Sequence, residues 1–178
     1  MNPSLSSRRR WLFAGVGTLA ALGGAGVALW RMQPQAVPDA AAQTFWQASL
    51  NAPQGTPMSM LSFQGRPLLL NFWATWCAPC LQELPLLNRF YTEHRARGWQ
   101  VVGLAIDQPS SVRQFLARQP LDFPTVLGGL TGTDMVRALG NDTGGLPFSV
   151  LFSANGNILV RKMGQLSESD LHTWAKML

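Results

Sequence analysis

The sequence predicts an α/β fold in which a mixed central sheet carries helices on both faces. Three observations lead there. Strand-length apolar runs alternate with helical segments, a strong hairpin signal sits at Asn155-Gly156, and a capped helix closes the chain. Taken in order, Thr44–Leu50 and Pro57–Phe63 read as short strands around a turn at Asn51–Thr56. Pro67–Trp73 is a buried strand, and Ala78 to Arg97 a helix with Leu84, Leu87, Phe90 and Tyr91 on one face and Gly98 as its stop. Gln100–Ile106 is a second buried strand. Ser110–Arg118 is a helix carrying Val112, Phe115 and Leu116, Phe123–Leu127 a short strand, and Thr133–Leu139 a short helix. Phe148–Ser153 and Asn157–Met163 form the hairpin. Ser167 is a natural N-cap with Glu168 and Asp170 in the first turn, and Leu171, Trp174, Ala175 and Leu178 make the inward stripe.

The chain is long enough for one domain plus extras, and 47% apolar residues supply a core. Its net charge of +5 is local in origin. Arg8, Arg9, Arg10 and Arg31 flank one uncharged segment, leaving ten basic against nine acidic residues beyond Arg31. No nucleic-acid surface follows from that balance, and basic residues do not interleave with the seven tryptophans as a base-stacking platform requires.

The uncharged segment runs for twenty residues from Trp11 to Trp30. At about 1.5 Å per residue it just crosses a hydrocarbon core of roughly 30 Å. Three arginines before it and one after it orient residues 1–10 to the cytoplasm and everything beyond Arg31 outside. Residues 11–30 are thus expected to be a transmembrane anchor or uncleaved signal in the inner membrane, 31–43 a linker, and 44–178 the exported domain. A cleaved signal peptide competes, using Ala40-Ala41-Ala42, although those small residues lie ten positions beyond the apolar stretch. A twin-arginine signal, approximated by Ser7-Arg8-Arg9-Arg10-Trp11-Leu12, is a third reading. All three export the domain.

Cys77 and Cys80 are the only cysteines, in Trp76-Cys77-Ala78-Pro79-Cys80 directly after the apolar run Leu68–Trp73. A strand entering Cys-x-x-Cys at a helix start makes a thiol reactive, because unpaired N–H groups and the positive end of the helix dipole favour thiolate. One sulfur can then attack a foreign disulfide, and the other, one turn on, can release the product. A plain structural disulfide is the competing reading, though so short a loop constrains the unfolded chain by only about 2 kcal/mol. Zinc needs about four ligands, and only His94 and His172, both far along the chain, remain to help. Haem attachment needs a histidine where Leu81 stands. No metal and no cofactor beyond the cysteine pair is expected.

With these residues in view, the chain from Thr44 onward resembles the TlpA/ResA-type family of membrane-anchored, extracytoplasmic thiol-disulfide oxidoreductases, which have a thioredoxin-like fold. The resemblance rests on Asn71-Phe72-Trp73-Ala74-Thr75-Trp76-Cys77-Ala78-Pro79-Cys80, on Glu83 and Pro85, on Gly145-Leu146-Pro147 before a strand, and on Gly164 before the last helix. Asp107 to about Leu127 resembles the family's central insertion, and residues before the core strand its N-terminal extension. The resemblance implies Cys77 as exposed nucleophile, Cys80 as buried resolving thiol, and Pro147 as a cis-proline displaying the Leu146 backbone to an extended client. Trp76, Pro79 and Gly164 complete the implied client surface. An ordinary trans turn proline and a simple bend at Gly164 are the alternatives. Plain thioredoxins place a buried aspartate where Asn71 stands, and Asn71 cannot titrate. Glu83, three residues after Cys80, matches the family's acidic residue and is expected to exchange the Cys80 proton if buried; the alternative is a solvated helix glutamate.

The resemblance favours a reductant of client disulfides, such as an apocytochrome c haem-binding motif or a copper-site cysteine pair, recharged by a membrane thiol-electron transporter. An exported dithiol needs such a donor, since a strong periplasmic oxidant and a thioredoxin differ by about 7 kcal/mol for two electrons. Two alternatives remain: a disulfide-donating oxidase, and a Cu(I)-binding chaperone of the same fold.

Overall fold

A computed structural model describes residues 39–129 and 131–178. The expected basic segment, membrane span and most of the linker lie outside them. No helix among the described residues is long and apolar enough to cross a membrane.

Seven strands form one sheet in the order β2-β1-β5-β4-β3-β6-β7. They are β1 (Ser49–Asn51), β2 (Pro57–Ser59), β3 (Leu68–Trp73), β4 (Gln100–Ala105), β5 (Thr125–Leu127), β6 (Phe148–Phe152) and β7 (Ile158–Met163). β3, β4 and β5 run parallel; β6 and β7 continue one side antiparallel, and β1 and β2 the other. The helices are α1 (Ala40–Gln47), α2 (Ala78–His94), α3 (Pro109–Arg118), α4 (Thr131–Ala138) and α5 (Glu168–Ala175).

Every residue of β3, β4 and β6 is buried, because helices cover both faces and side chains alternate between them. Leu69, Trp73 and Leu151 pack with Leu84, Leu87, Val112, Phe115, Leu171 and Trp174 under α2, α3 and α5. Leu68, Leu70, Phe72, Phe148 and Val150 pack with Phe45, Trp46, Val136 and Leu139 under α1 and α4. The edge strand β7 alternates half-buried with exposed residues.

The fold class and the order of the core elements agree with the sequence reading; the N-terminal stretch does not. Of the strand expected over Thr44–Leu50 only Ser49 and Leu50 are strand, in β1; Thr44–Gln47 belong to α1, which begins at Ala40, inside the stretch read as linker. Asp39 caps it, accepting from the Ala41 N–H at 3.0 Å. The alanine run that suggested a linker is strong helix former, and Ala42, Phe45 and Trp46 fall on one helical face. Phe45 stacks on Phe152, and the Trp46 indole donates to the Gly156 carbonyl at 2.8 Å. A Cβ on Gly156 would lie 2.9 Å from that indole nitrogen, so the hairpin turn needs glycine for this approach as well as for its φ of +81°.

Three smaller differences have local causes. The strand expected over Pro57–Phe63 stops at Ser59, opposite Ser49 where its three-residue partner β1 begins, and Met60–Phe63 form a 3-10 turn that buries Met60. α4 starts two residues before the expected Thr133, with the Thr131 hydroxyl donating to the Gly128 carbonyl at 2.9 Å. Leu178, expected on the inward stripe, is exposed because α5 ends at Ala175.

Candidate active site

The C-terminal end of β3, the start of β6 and the end of β7 lie at one end of the sheet's strands, since Phe72 pairs with Phe148 and Phe148 with Met163. The sequence-predicted segments around Cys77, Pro147 and Gly164 join the sheet at this end. β3 passes through Ala74 to Cys77, whose N–H donates to the Ala74 carbonyl at 3.2 Å. Cys77 is the N-cap of α2; its Sγ accepts from the Cys80 N–H at 3.3 Å, and Pro79 stands where no intrahelical N–H is needed. Cys77 and Cys80 are joined as a disulfide with their Cα atoms 5.3 Å apart.

Cys80 is fully buried, and Cys77 is 5% exposed. The expectation of an openly exposed nucleophile is thus corrected for the oxidised state. Cys77 is the more accessible of the two residues, and in the disulfide form it belongs to the core cluster with Trp73, Ala74 and Leu84. Trp76 beside it is 68% exposed, and Ala78 and Pro79 are also exposed.

Leu146–Pro147 is a cis peptide bond, which excludes the ordinary trans turn proline. The Pro147 carbonyl accepts from the Gly164 N–H at 2.9 Å, tying the two loops together. Gly164 has a φ of +82°, a conformation that other residues adopt only with strain, and no atom lies within 4 Å of where a Cβ would project. Among the described residues, no hydrogen bond engages the backbone of Leu146. Buried Asn141, not singled out in the sequence, shapes this loop: its amide donates to the Gly145 carbonyl at 2.7 Å, and its oxygen accepts from the Thr143 hydroxyl.

Glu83 is 1% exposed, so it is not a solvated helix residue. Its Oε1 accepts from Asn71 Nδ2 and its Oε2 from the Leu166 N–H, each at 2.7 Å. Burial raises its pKa above the ordinary carboxyl value, opposed by the Leu166 N–H, the Asn71 amide and the positive charge of Lys162. Lys162 is itself paired with Asp170, whose carboxyl the lysine and Ser167 hold down at about 2. Asn71 also donates to the Ser149 hydroxyl at 3.0 Å, its register partner on β6. Sequence reasoning marked Asn71 only as untitratable and missed Ser149, Lys162 and Leu166. A polar residue within each of two otherwise apolar strands was the available signal.

Asp107 was also missed as a site residue. It follows β4, which lies beside β3, and its carboxylate holds Thr75 just before Trp76 and Cys77. The two histidines lie away from this network. His94 Nδ1 bonds the Phe90 carbonyl while its ring stacks on Phe90, and His172 is exposed. Among the described residues no group of three or more His, Cys, Asp or Glu is arranged to hold a metal.

The Redoxin family profile matches residues 34–178. Thiol-disulfide oxidoreductase ResA of Bacillus thuringiensis subsp. konkukian is 27% identical over 126 residues, 70% of each chain. Among solved structures, a putative thiol:disulfide interchange protein DsbE from Chlorobium tepidum superposes with a TM-score of 0.63 at 28% identity, covering 72% of this chain and 88% of that one. StoA from Bacillus subtilis superposes with a TM-score of 0.59 at 25% identity, covering 72% and 95%. A thioredoxin-like domain whose capped active-site helix carries a Cys-x-x-Cys disulfide therefore agrees with its relatives at the level of chemistry: the chain belongs to the redoxin family and is a thiol-disulfide oxidoreductase whose disulfide-forming pair is Cys77 and Cys80.

Proposed function

We propose that this protein is a membrane-tethered, extracytoplasmic reductant of client disulfides. Cys77 is the nucleophile, Cys80 the resolving thiol and Glu83 the carrier of the resolving proton. In the reduced enzyme, the start of α2 favours the Cys77 thiolate, which attacks one sulfur of an oxidised client pair. The client disulfide breaks, a Cys77–client disulfide forms, and the other client sulfur leaves as thiolate. Cys80 then gives its proton to the Glu83 carboxylate and attacks the Cys77 sulfur. The enzyme disulfide forms, and the second client thiolate departs. Two electrons pass to the client, whose thiolates are protonated from Glu83 and solvent. A membrane thiol-electron transporter restores the dithiol.

The observation that carries this reading is the buried carboxyl of Glu83 one turn after Cys80. A purely structural disulfide has no use for a desolvated acid beside it, whereas a thiol that must ionise inside the protein does. The free backbone of Leu146, with exposed Trp76, Pro79 and Gly164 around the sulfurs, supports strand-to-strand capture of an extended client. Family likeness and the arginine-flanked segment at residues 11–30 support the tether and the export. The client class is a cysteine pair oxidised before it can take its cargo, as in an apocytochrome c haem-binding motif or a copper-site protein.

Trapping tests this directly. Cys80→Ala in the full-length protein is expected to accumulate a mixed disulfide with proteins bearing paired cysteines, and the adduct should vanish in the double variant with Cys77→Ser. A potential below roughly −200 mV agrees with a reductant, and one well above it indicates a disulfide donor. Tight Cu(I) binding under anaerobic titration, without Cys77-dependent disulfide reduction, would replace the proposal with a metal chaperone.

A further inference from the structure

The reading of Glu83 as a proton carrier, on which this inference rests, requires its buried carboxyl to be supported in two protonation states. Its hydrogen bonds as found suit only one. Oε1 faces Asn71 Nδ2 and Oε2 faces the Leu166 N–H, and both partners are donors. A carboxyl O–H at that place needs an acceptor, since a buried hydroxyl left unpaired keeps its full desolvation penalty. The amide that contacts the carboxyl carries one: Asn71 Oδ1, which is buried and, among the described residues, without a hydrogen-bond partner.

A half-turn of the Asn71 amide about χ2 exchanges Oδ1 and Nδ2, which are nearly equal in size. Oδ1 then occupies the position 2.7 Å from Glu83 Oε1 and 3.0 Å from Ser149 Oγ. Ser149, which accepts from the amide in the present arrangement, is a hydroxyl and donates equally well. Both bonds persist with their direction reversed. One amide atom lacks a partner in either orientation, so the turn exchanges one buried unpaired group for another, and the proton on Glu83 selects between them.

We infer that Asn71 and Ser149 are positioning residues that form a reversible hydrogen-bond chain, Ser149–Asn71–Glu83, whose amide turns over when Glu83 takes up a proton on Oε1. Oε2 keeps the Leu166 N–H in both states, so the segment Gly164–Ser167 stays docked. The other charged or titratable groups around Glu83 are Lys162 on β7, its partner Asp170 on α5, and Cys80 on Glu83's own helix. Asp170, held at about 2, stays ionised and keeps Lys162 paired through the range in which a carboxyl of raised pKa titrates. Register explains the placement: Asn71 and Ser149 stand opposite each other on β3 and β6, on the face that α2 covers.

The test is a pH titration of the oxidised, isotope-labelled protein by NMR, following Glu83 Cδ and both Asn71 Hδ2 protons. A turning amide withdraws both protons from their acceptors, so both resonances are expected to move upfield with the Glu83 Cδ midpoint. A fixed amide moves only the proton facing Glu83. An unshifted Ser149-facing proton alongside a titrating Glu83 overturns the inference and leaves the proton-carrier reading standing. A Glu83 Cδ that does not titrate while the protein is folded overturns both. As a control, the Ser149-facing shift should vanish in Ser149→Ala and return in Ser149→Thr; persistence in Ser149→Ala also counts against the inference.

Discussion

Thr75 donates both its backbone N–H and its hydroxyl to a single oxygen, Oδ2 of Asp107, at 2.8 and 2.5 Å. The other oxygen of Asp107 accepts from the Gln108 N–H. One side chain after β4 therefore fixes the turn by which β3 delivers Trp76 and Cys77. Asp107→Ala is expected to destabilise the protein by about 1–2 kcal/mol, the cost of leaving these donors without their acceptor. Insulin reduction should slow several-fold, because the loosened turn directly precedes Cys77. Thr75→Val, which loses only the hydroxyl bond, should show a smaller change in both. Urea unfolding and stopped-flow kinetics on the two variants check this, and an unchanged rate in Asp107→Ala would show that the turn holds without it.

The Glu83 carboxyl has a pKa raised by burial, so between its ordinary and its folded value the folded state holds a proton that the unfolded state has already lost. Its stabilising contribution is complete below the ordinary carboxyl value and is lost as pH rises through the folded value. Glu83→Gln removes that dependence, and the variant is expected to gain stability relative to the parent as pH rises through this window. Its resolving step should slow by about 10²-fold, the usual scale of a positioned acid or base. Asp170 has the opposite sign: its stabilisation is present above the ordinary carboxyl range and is lost as pH falls through about 2. Unfolding across pH for the parent, Glu83→Gln and Asp170→Asn should separate the two slopes.

Trp46 joins α1 to the β6–β7 turn by packing and by one indole bond. Trp46→Phe retains an aromatic ring but strands the Gly156 carbonyl, an expected loss of about 1–3 kcal/mol. Trp46→Ala adds a cavity and should cost about 3–5 kcal/mol. Disulfide exchange by the folded fraction is expected to be unchanged in both, since α1 covers the face of the sheet opposite the sulfurs. A matching loss of activity per folded molecule would contradict that separation.

Much of this was legible in the residues themselves. Continuous apolar runs gave β3 and β4, the Asn155-Gly156 turn gave the last hairpin, and Ser167 with Asp170 forms the capping box that opens α5. The cysteine pair was read from its spacing after a strand, while the cis Leu146–Pro147 bond and a carboxyl at Glu83 were what the family resemblance implied; the structure has the bond cis and Glu83 buried. Helix α1 was hidden because Ala40-Ala41-Ala42 suits a linker, a cleavage site and a helix equally, and only burial of Phe45 and Trp46 decides among them. The partners of Glu83 were hidden for another reason. Asn71, Ser149 and Leu166 come from separated parts of the chain and meet only through strand register and a loop backbone contact, which local pattern does not encode.

Alternation along β3 sends Leu68, Leu70 and Phe72 to one layer and Leu69 and Trp73 to the other. The two layers can therefore be edited independently. Thermal robustness can be raised by repacking the α1 and α4 side while the sulfur environment keeps its reactivity, and redox tuning on the α2 side need not weaken the far layer. That division lets durability and reactivity adapt on separate schedules.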